Sequence, residues 1–282
     1  MKKLSFLVAA LLGLASVADA QVTQLNKTTA QARLDNGQML YVDFYGPNIF
    51  RLFQDPNGGI LRDPQARPEA QILVDNPRRD VKIVVNGQEI SSGSVKLRVS
   101  LADGSIEVTE GLPGGLSISA PEFGKKNTKI TLSKQPDEDF YGGGVQNGRF
   151  SHGGKTIAIV NTNNWVDGGV ASPTPFYWST AGYGVMGYTF APGSYDFGET
   201  DATKTILSHD TDYADYFFMF SQGAVALLND FYQLTGNPVL LPKFGFYQGH
   251  LNAYNRDYWT EAENGFMAYE DGKRYNESQK DN

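Results

Sequence analysis

From about Val22 to Phe220 the chain is built of short runs of β-branched and aromatic residues, each followed by residues that turn the backbone. Gly37 to Tyr45 (GQMLYVDFY) gives way to Gly46-Pro47-Asn48, and Ile49-Phe50-Arg51-Leu52-Phe53 gives way to Asp55-Pro56-Asn57-Gly58-Gly59. Val81 to Val85 ends at Asn86-Gly87, a hairpin dipeptide because both residues tolerate positive φ. Val95 to Val99 alternates with period two, and Asp103-Gly104 then turns the chain into Ile106-Glu107-Val108. Strands of this length, with a turn signal after each, predict a mainly β fold: an antiparallel β-sandwich.

The pattern changes after Phe220. Ala224, Leu227, Leu228, Phe231 and Leu234 recur at helical spacing within Gly223–Thr235, Gly236 is placed to cap that helix, and Pro238 bars its continuation. Phe244 to Tyr247 reads as a short buried strand, and Glu261 to Asn282 is polar and charged, without a closing element. At the other end, Lys2 and Lys3 precede an apolar run from Leu4 to Val17 and the small residues Ala18-Asp19-Ala20. This is the form of a cleavable signal peptide, too short in its apolar part to span a bilayer comfortably. We therefore expect cleavage after Ala20 and a periplasmic or secreted protein with no membrane association once the leader is gone. The expected division is 1–20 signal peptide, 21–222 sandwich, 223–241 linking helix and connector, and 242–282 a further element that is only begun.

Such a compartment permits disulfides, yet the chain has no cysteine. Stability must come from an apolar core, and an aromatic content of 12% is enough to build one. A net charge of −7 argues against nucleic acid, which needs clustered Lys and Arg. The absence of cysteine excludes thiol nucleophiles, and no Gly-x-Ser-x-Gly elbow is present. His152, His209 and His250 lie far apart in sequence and outside any ligand motif, so each reads as a surface or hydrogen-bonded histidine, and neither metal nor cofactor is expected. Gly142-Gly143-Gly144-Val145-Gln146-Asn147-Gly148 brushes against a dinucleotide fingerprint, but Asn147 holds the third glycine position and no βαβ pattern surrounds it. Asp137 and Glu138, being adjacent, point to opposite faces of a strand and read as a solvated acidic turn rather than a catalytic pair.

One segment stands out. Asn161-Thr162-Asn163-Asn164-Trp165-Val166-Asp167-Gly168-Gly169 gathers amides and a carboxylate around an indole. Planar donors and acceptors suit sugar hydroxyls, and an aromatic face suits the C–H side of a pyranose ring. The same composition also describes an Asn/Gly-rich surface loop anchored by one Trp.

The order of several motifs carries more weight than any one of them. Phe140-Tyr141-Gly142-Gly143-Gly144, the loop ending at Gly169, Pro175-Phe176-Tyr177-Trp178-Ser179, Gly182-Tyr183-Gly184-Val185 and Tyr195-Asp196-Phe197-Gly198 follow one another. Tyr216-Phe217-Phe218, the helix ending Tyr232-Gln233-Leu234-Thr235-Gly236, and Pro238 to Phe246 continue the series. In this order they resemble the N-terminal portion of glycoside hydrolase family 31. The resemblance implies a galactose-mutarotase-like β-sandwich followed by the first elements of a truncated (β/α)8 barrel. Such a barrel needs about 250 residues, and only 40 follow Pro242. It also implies an enzyme of the α-glucosidase type acting on α-linked oligosaccharide or polysaccharide by double displacement. One Asp attacks the anomeric carbon, and a second protonates the leaving oxygen and then activates water. No position here matches either motif, so no catalytic residue is assigned and the chain alone is expected to be inactive.

The resemblance further implies that the Asn161–Gly169 loop reaches over a barrel mouth. Asp167 matches the family aspartate that accepts hydrogen bonds from sugar hydroxyls, with Asn164 and Trp165 beside it. Phe244–Tyr247 is similar to a first barrel strand, which would place His250 and Asn252 at its ligand-binding end. Two alternatives stand beside this reading: a stand-alone secreted carbohydrate-binding sandwich, and a sandwich that packs on a barrel without touching sugar.

Overall fold

A computed structural model describes residues 20–59, 72–162, 166–242, 259–267 and 271–277. The chain divides into two compact units, Met1–Asn237 and Pro238–Asn282. The described part of the first unit is two antiparallel sheets and one helix. The first sheet has eight strands in the order Gln21–Gln24, Thr29–Arg33, Met39–Gly46, Ile49–Gln54, Ala214–Phe220, Tyr183–Gly187, Val170–Ser179 and Phe140–Gln146. The second runs from Thr156–Ile159 through Gly193–Asp196, Lys204–His209, Thr128–Ser133, Leu116–Ile118, Ile106–Glu110, Lys96–Val99 and Glu89–Ser91 to Val84–Asn86. Glu122–Phe123 pairs beside Thr128–Ser133. The hairpin expected at Asn86-Gly87 joins the last two strands of that path. The expected sandwich is present.

Its interior is the apolar side of both sheets. Leu40, Val42, Phe44, Phe50, Leu52, Tyr177, Val185 and Phe218 of the first sheet meet Ile90, Leu97, Val99, Ile106, Ile130, Leu132 and Leu207 of the second in one buried cluster. Aromatic rings fill the end near Phe140, which stacks on Phe197 at 4.6 Å between centroids and meets Tyr177 edge-on at 5.9 Å. Offset and edge-on contacts of this kind add to the area that the rings bury.

Both histidines in the described residues are inside, not on the surface. His209 Nδ1 faces the Ala191 carbonyl at 3.1 Å and Nε2 faces the Tyr195 hydroxyl at 2.9 Å. A carbonyl can only accept, so Nδ1 carries the proton and Nε2 accepts from Tyr195. By the same logic His152 Nε2 donates to the Gly142 carbonyl at 2.9 Å, while its ring stacks on Phe197. Burial holds both imidazoles below their ordinary pKa; Arg149 and Lys155 push His152 further down, whereas its bond to Gly142 opposes the shift.

The outer side of the first sheet is covered as well. Helix Ala224–Thr235 lies on it, with Leu227 and Leu234 buried among Tyr45, Ile49, Phe176, Met186, Phe217, Met219 and Leu73. Phe231 stacks on Phe176 at 4.1 Å. Polar contacts fix the helix in place: Asp230 accepts from Asn48 Nδ2 at 2.8 Å and from Ser221 Oγ at 2.5 Å, and Gln233 donates to the Tyr45 carbonyl at 2.9 Å. The same outer layer contains Arg51, which holds Asp215 through two bonds of 2.7 Å. Burial raises the Asp215 pKa, and Arg51 works against that shift.

Glu138, expected in a solvated turn, is buried. It accepts from Ser179 Oγ and from the Gln135 amide, closing the turn that leads into strand Phe140–Gln146. In the second unit Trp259–Phe266 and Tyr275–Glu277 form an antiparallel hairpin. The barrel strand expected at Phe244–Tyr247 lies outside the described residues. No helix among the described residues is long and apolar enough to cross a membrane.

Candidate functional site

Strand Phe140–Gln146 is the edge of the first sheet, and it reaches that edge in a way that only glycine allows. Its pairing with Val170–Ser179 shifts register between Gly142 and Gly144. A Cβ on Gly144, where φ is +79°, would stand 2.0 Å from the Ser172 carbonyl oxygen and 2.6 Å from the Thr174 nitrogen. The tri-glycine run is thus a bulge pressed against its neighbour, which carries the strand onward to its final pairing of Gln146 with Val170. Gln146 is buried and donates to Gly143 O at 2.9 Å and to Ala158 O at 3.0 Å, tying this edge to strand Thr156–Ile159.

Beyond that pairing two tight turns face each other. In the first, Arg149 N donates to Gln146 O at 3.2 Å; in the second, Gly169 N donates to Val166 O at 2.9 Å. Each has a positive-φ glycine in its third position, Gly148 at +71° and Gly168 at +80°. The turns are joined through Asn147, whose N–H donates to Gly169 O at 3.0 Å and whose carbonyl accepts from Gly168 N at 2.9 Å. Thr162 closes the neck of the second loop, with its N–H and hydroxyl both 3.0 Å from Val170 O. Arg149 Nη1 donates to Thr156 O at 2.9 Å and braces the first turn from below.

Asp167 occupies the second position of the outer turn and is exposed. Of the five residues expected to bind sugar, it alone falls among the described residues; Asn164, Trp165, His250 and Asn252 lie outside them. Arg149 lies on the facing turn, and two large apolar side chains near the paired turns are exposed. Val166 is 65% exposed and Phe150 85%. The Phe150 ring meets Tyr141 edge-on at 5.4 Å, and Tyr141 stacks on Trp178 at 4.5 Å. An exposed carboxylate on a backbone tied by hydrogen bonds to the facing turn can accept from hydroxyls. No group of three or more His, Asp or Glu among the described residues could hold a metal.

The facing turn was missed in the sequence. Asn147-Gly148 is the same dipeptide as the hairpin signal Asn86-Gly87, but it sits at the end of a glycine-rich string, and that string drew attention as a failed nucleotide fingerprint.

Comparison with known proteins agrees with this architecture. An α-xylosidase of Emericella nidulans is 28% identical over 147 residues, 50% of this chain and 18% of that protein. The α-xylosidase XylQ of Lactiplantibacillus pentosus is 28% identical over 208 residues, 68% of this chain and 27% of that protein. The chain therefore spans little more than a quarter, at most, of these curated relatives. Among solved structures, a family 31 dextranase of Flavobacterium johnsoniae complexed with isomaltotriose superposes with a TM-score of 0.69 at 15% identity, covering 80% of this chain and 29% of that one. A family 31 α-xylosidase from a soil metagenome, complexed with xylose, gives 0.60 at 19% identity, covering 78% and 35%. At these identities the two structures speak for the fold. Residues 39–196, more than half of the chain, match the glycosyl hydrolase 31 N-terminal galactose mutarotase-like domain, and this chain belongs to that family.

Proposed function

We propose that the chain is the N-terminal part of an exported retaining α-glycosidase that acts on α-linked oligosaccharides by double displacement. In this reading the sandwich presents the Asn161–Gly169 loop to the sugar, and the two catalytic aspartates lie in a barrel outside the chain. Export is supported by the Lys2-Lys3 start, the apolar run after it and Ala18-Asp19-Ala20. The substrate class is supported by family membership together with the α-xylosidase and dextranase relatives. The observation that carries the sugar-binding role is the exposure of Asp167 on a loop whose backbone is clamped to the facing turn.

In the full-length enzyme, Asp167→Ala is expected to raise KM for isomaltotriose or an aryl α-xyloside by about tenfold or more with a smaller change in kcat. A hydrogen bond to a charged group contributes about 1.5–3 kcal/mol, and each 1.4 kcal/mol is a factor of about ten. The 282-residue chain alone should show no turnover. Unchanged kinetics in the variant would leave the sandwich a purely structural role, and turnover by the chain alone would refute the placement of the acids.

A further inference from the structure

Asp167 has a specific neighbour. A Cβ built on Gly148 would stand 2.5 Å from Asp167 Oδ1, 2.9 Å from its Cγ and 3.3 Å from its Cβ. The carboxylate of one turn therefore fills the place that a side chain on the facing turn would take. Backbone on both sides is held by the two bonds through Asn147, so it has little freedom to retreat. The Asp167 side chain, with two rotatable bonds and an exposed position, has that freedom. The contact that a methyl group at position 148 would make is relieved by turning the carboxylate away, which leaves the backbone strain of a left-handed alanine as the cost to the fold.

We infer that Gly148 is a positioning residue: by having no side chain, it leaves the space that sets the orientation of the Asp167 carboxylate. The functional consequence rests on the proposal above that Asp167 contacts sugar; the orientation itself does not. Gly148 and Gly168 hold the same position in their turns, yet the nearest atom to a Cβ on Gly168 is Arg149 Nη2 at 3.9 Å, an ordinary contact. Occupied space at Gly148 is therefore a feature of this position and not of the turn type.

The molecule supplies its own control. Gly154 lies on the same connector, has φ of +70° against +71° at Gly148, and has nothing within 4 Å of its would-be Cβ. An alanine at either position meets the same left-handed backbone strain, and only at 148 does it also meet Asp167. In the 282-residue chain, Gly148→Ala and Gly154→Ala should lower the thermal midpoint by similar amounts. The Asp167 13Cγ resonance should move in Gly148→Ala and stay in place in Gly154→Ala. In the full-length enzyme with isomaltotriose as probe, Gly148→Ala should raise KM at least about fivefold with kcat little changed, and should have no further effect when Asp167→Asn is already present. An Asp167 resonance that responds equally to both alanines would overturn the inference. So would additive effects of Gly148→Ala and Asp167→Asn on KM. If Asp167→Asn alone leaves KM unchanged, the sugar contact falls, and the carbon resonance still decides the orientation.

Discussion

On its outer side the second sheet offers charge to water. Lys96 is joined to Glu110 and Arg98 to Glu89 across neighbouring strands, and buried residues alternate with exposed or half-buried ones along Ile106–Glu110 and Thr128–Ser133. The first sheet has no such side over its middle. All seven residues of Ala214–Phe220 and all five of Tyr183–Gly187 are buried, because the helix and the segment around Leu73 cover the face opposite the core. The two sheets share one interior, and what separates them is whether a second apolar layer was laid behind. A strand with one wet face must alternate; a strand covered on both faces need not. The same rule sets where charge is tolerated. Behind the second sheet charges meet water, whereas behind the first Arg51 and Asp215 must satisfy each other.

That contrast can be broken most sharply at Arg51. Arg51→Ala leaves the buried Asp215 carboxylate without the guanidinium that holds it, and stability to urea should fall by about 3–5 kcal/mol. A loss below about 1 kcal/mol would mean that the outer layer of the first sheet is no drier than that of the second. Acid is expected to act more mildly, and on the shared interior. His152 and His209 are held neutral by burial, with folded pKa values below the ordinary imidazole value. The unfolded chain therefore binds protons that the native one does not. The stabilising contribution is complete above about pH 6.5 and drains as pH falls below that value. The urea midpoint should decline between pH 7.5 and 5, and the decline should flatten in the His152→Gln/His209→Gln double variant; an equal decline in both proteins would assign it to other groups. The smallest effect belongs to the wet face. Arg98→Ala removes an exposed pair with Glu89 and should leave the urea midpoint where it was, since such pairs are offset by solvation and side-chain entropy.

Strand and turn positions were legible because both are local. Asn86-Gly87 closes its hairpin, the stripe from Ala224 to Leu234 is a helix, and Gly236 ends it. Strand order was not legible. Ile49–Gln54 lies against Ala214–Phe220, and nothing in either run names a partner so distant in the chain. Glu138 was misread because an acidic triplet looks solvated until Ser179, 41 residues on, is seen to donate to it. The two halves of the candidate site differ in what the sequence offers. Asp167 could be singled out by residue type and resemblance, but the turn that faces it depends on a bulge whose cause is the backbone of another strand.

The place of Ala214–Phe220 in the middle of the first sheet bears on how the protein is made. Its partners on one side end at Gln54, and those on the other end at Gly187, so the strand that joins them leaves the ribosome after both. At roughly 5–20 residues per second, the earlier half is exposed for on the order of ten seconds with Ile49–Gln54 as an open edge. Until Ala214–Phe220 emerges the two halves of the first sheet have no common strand to join them, and the earlier half stays loose.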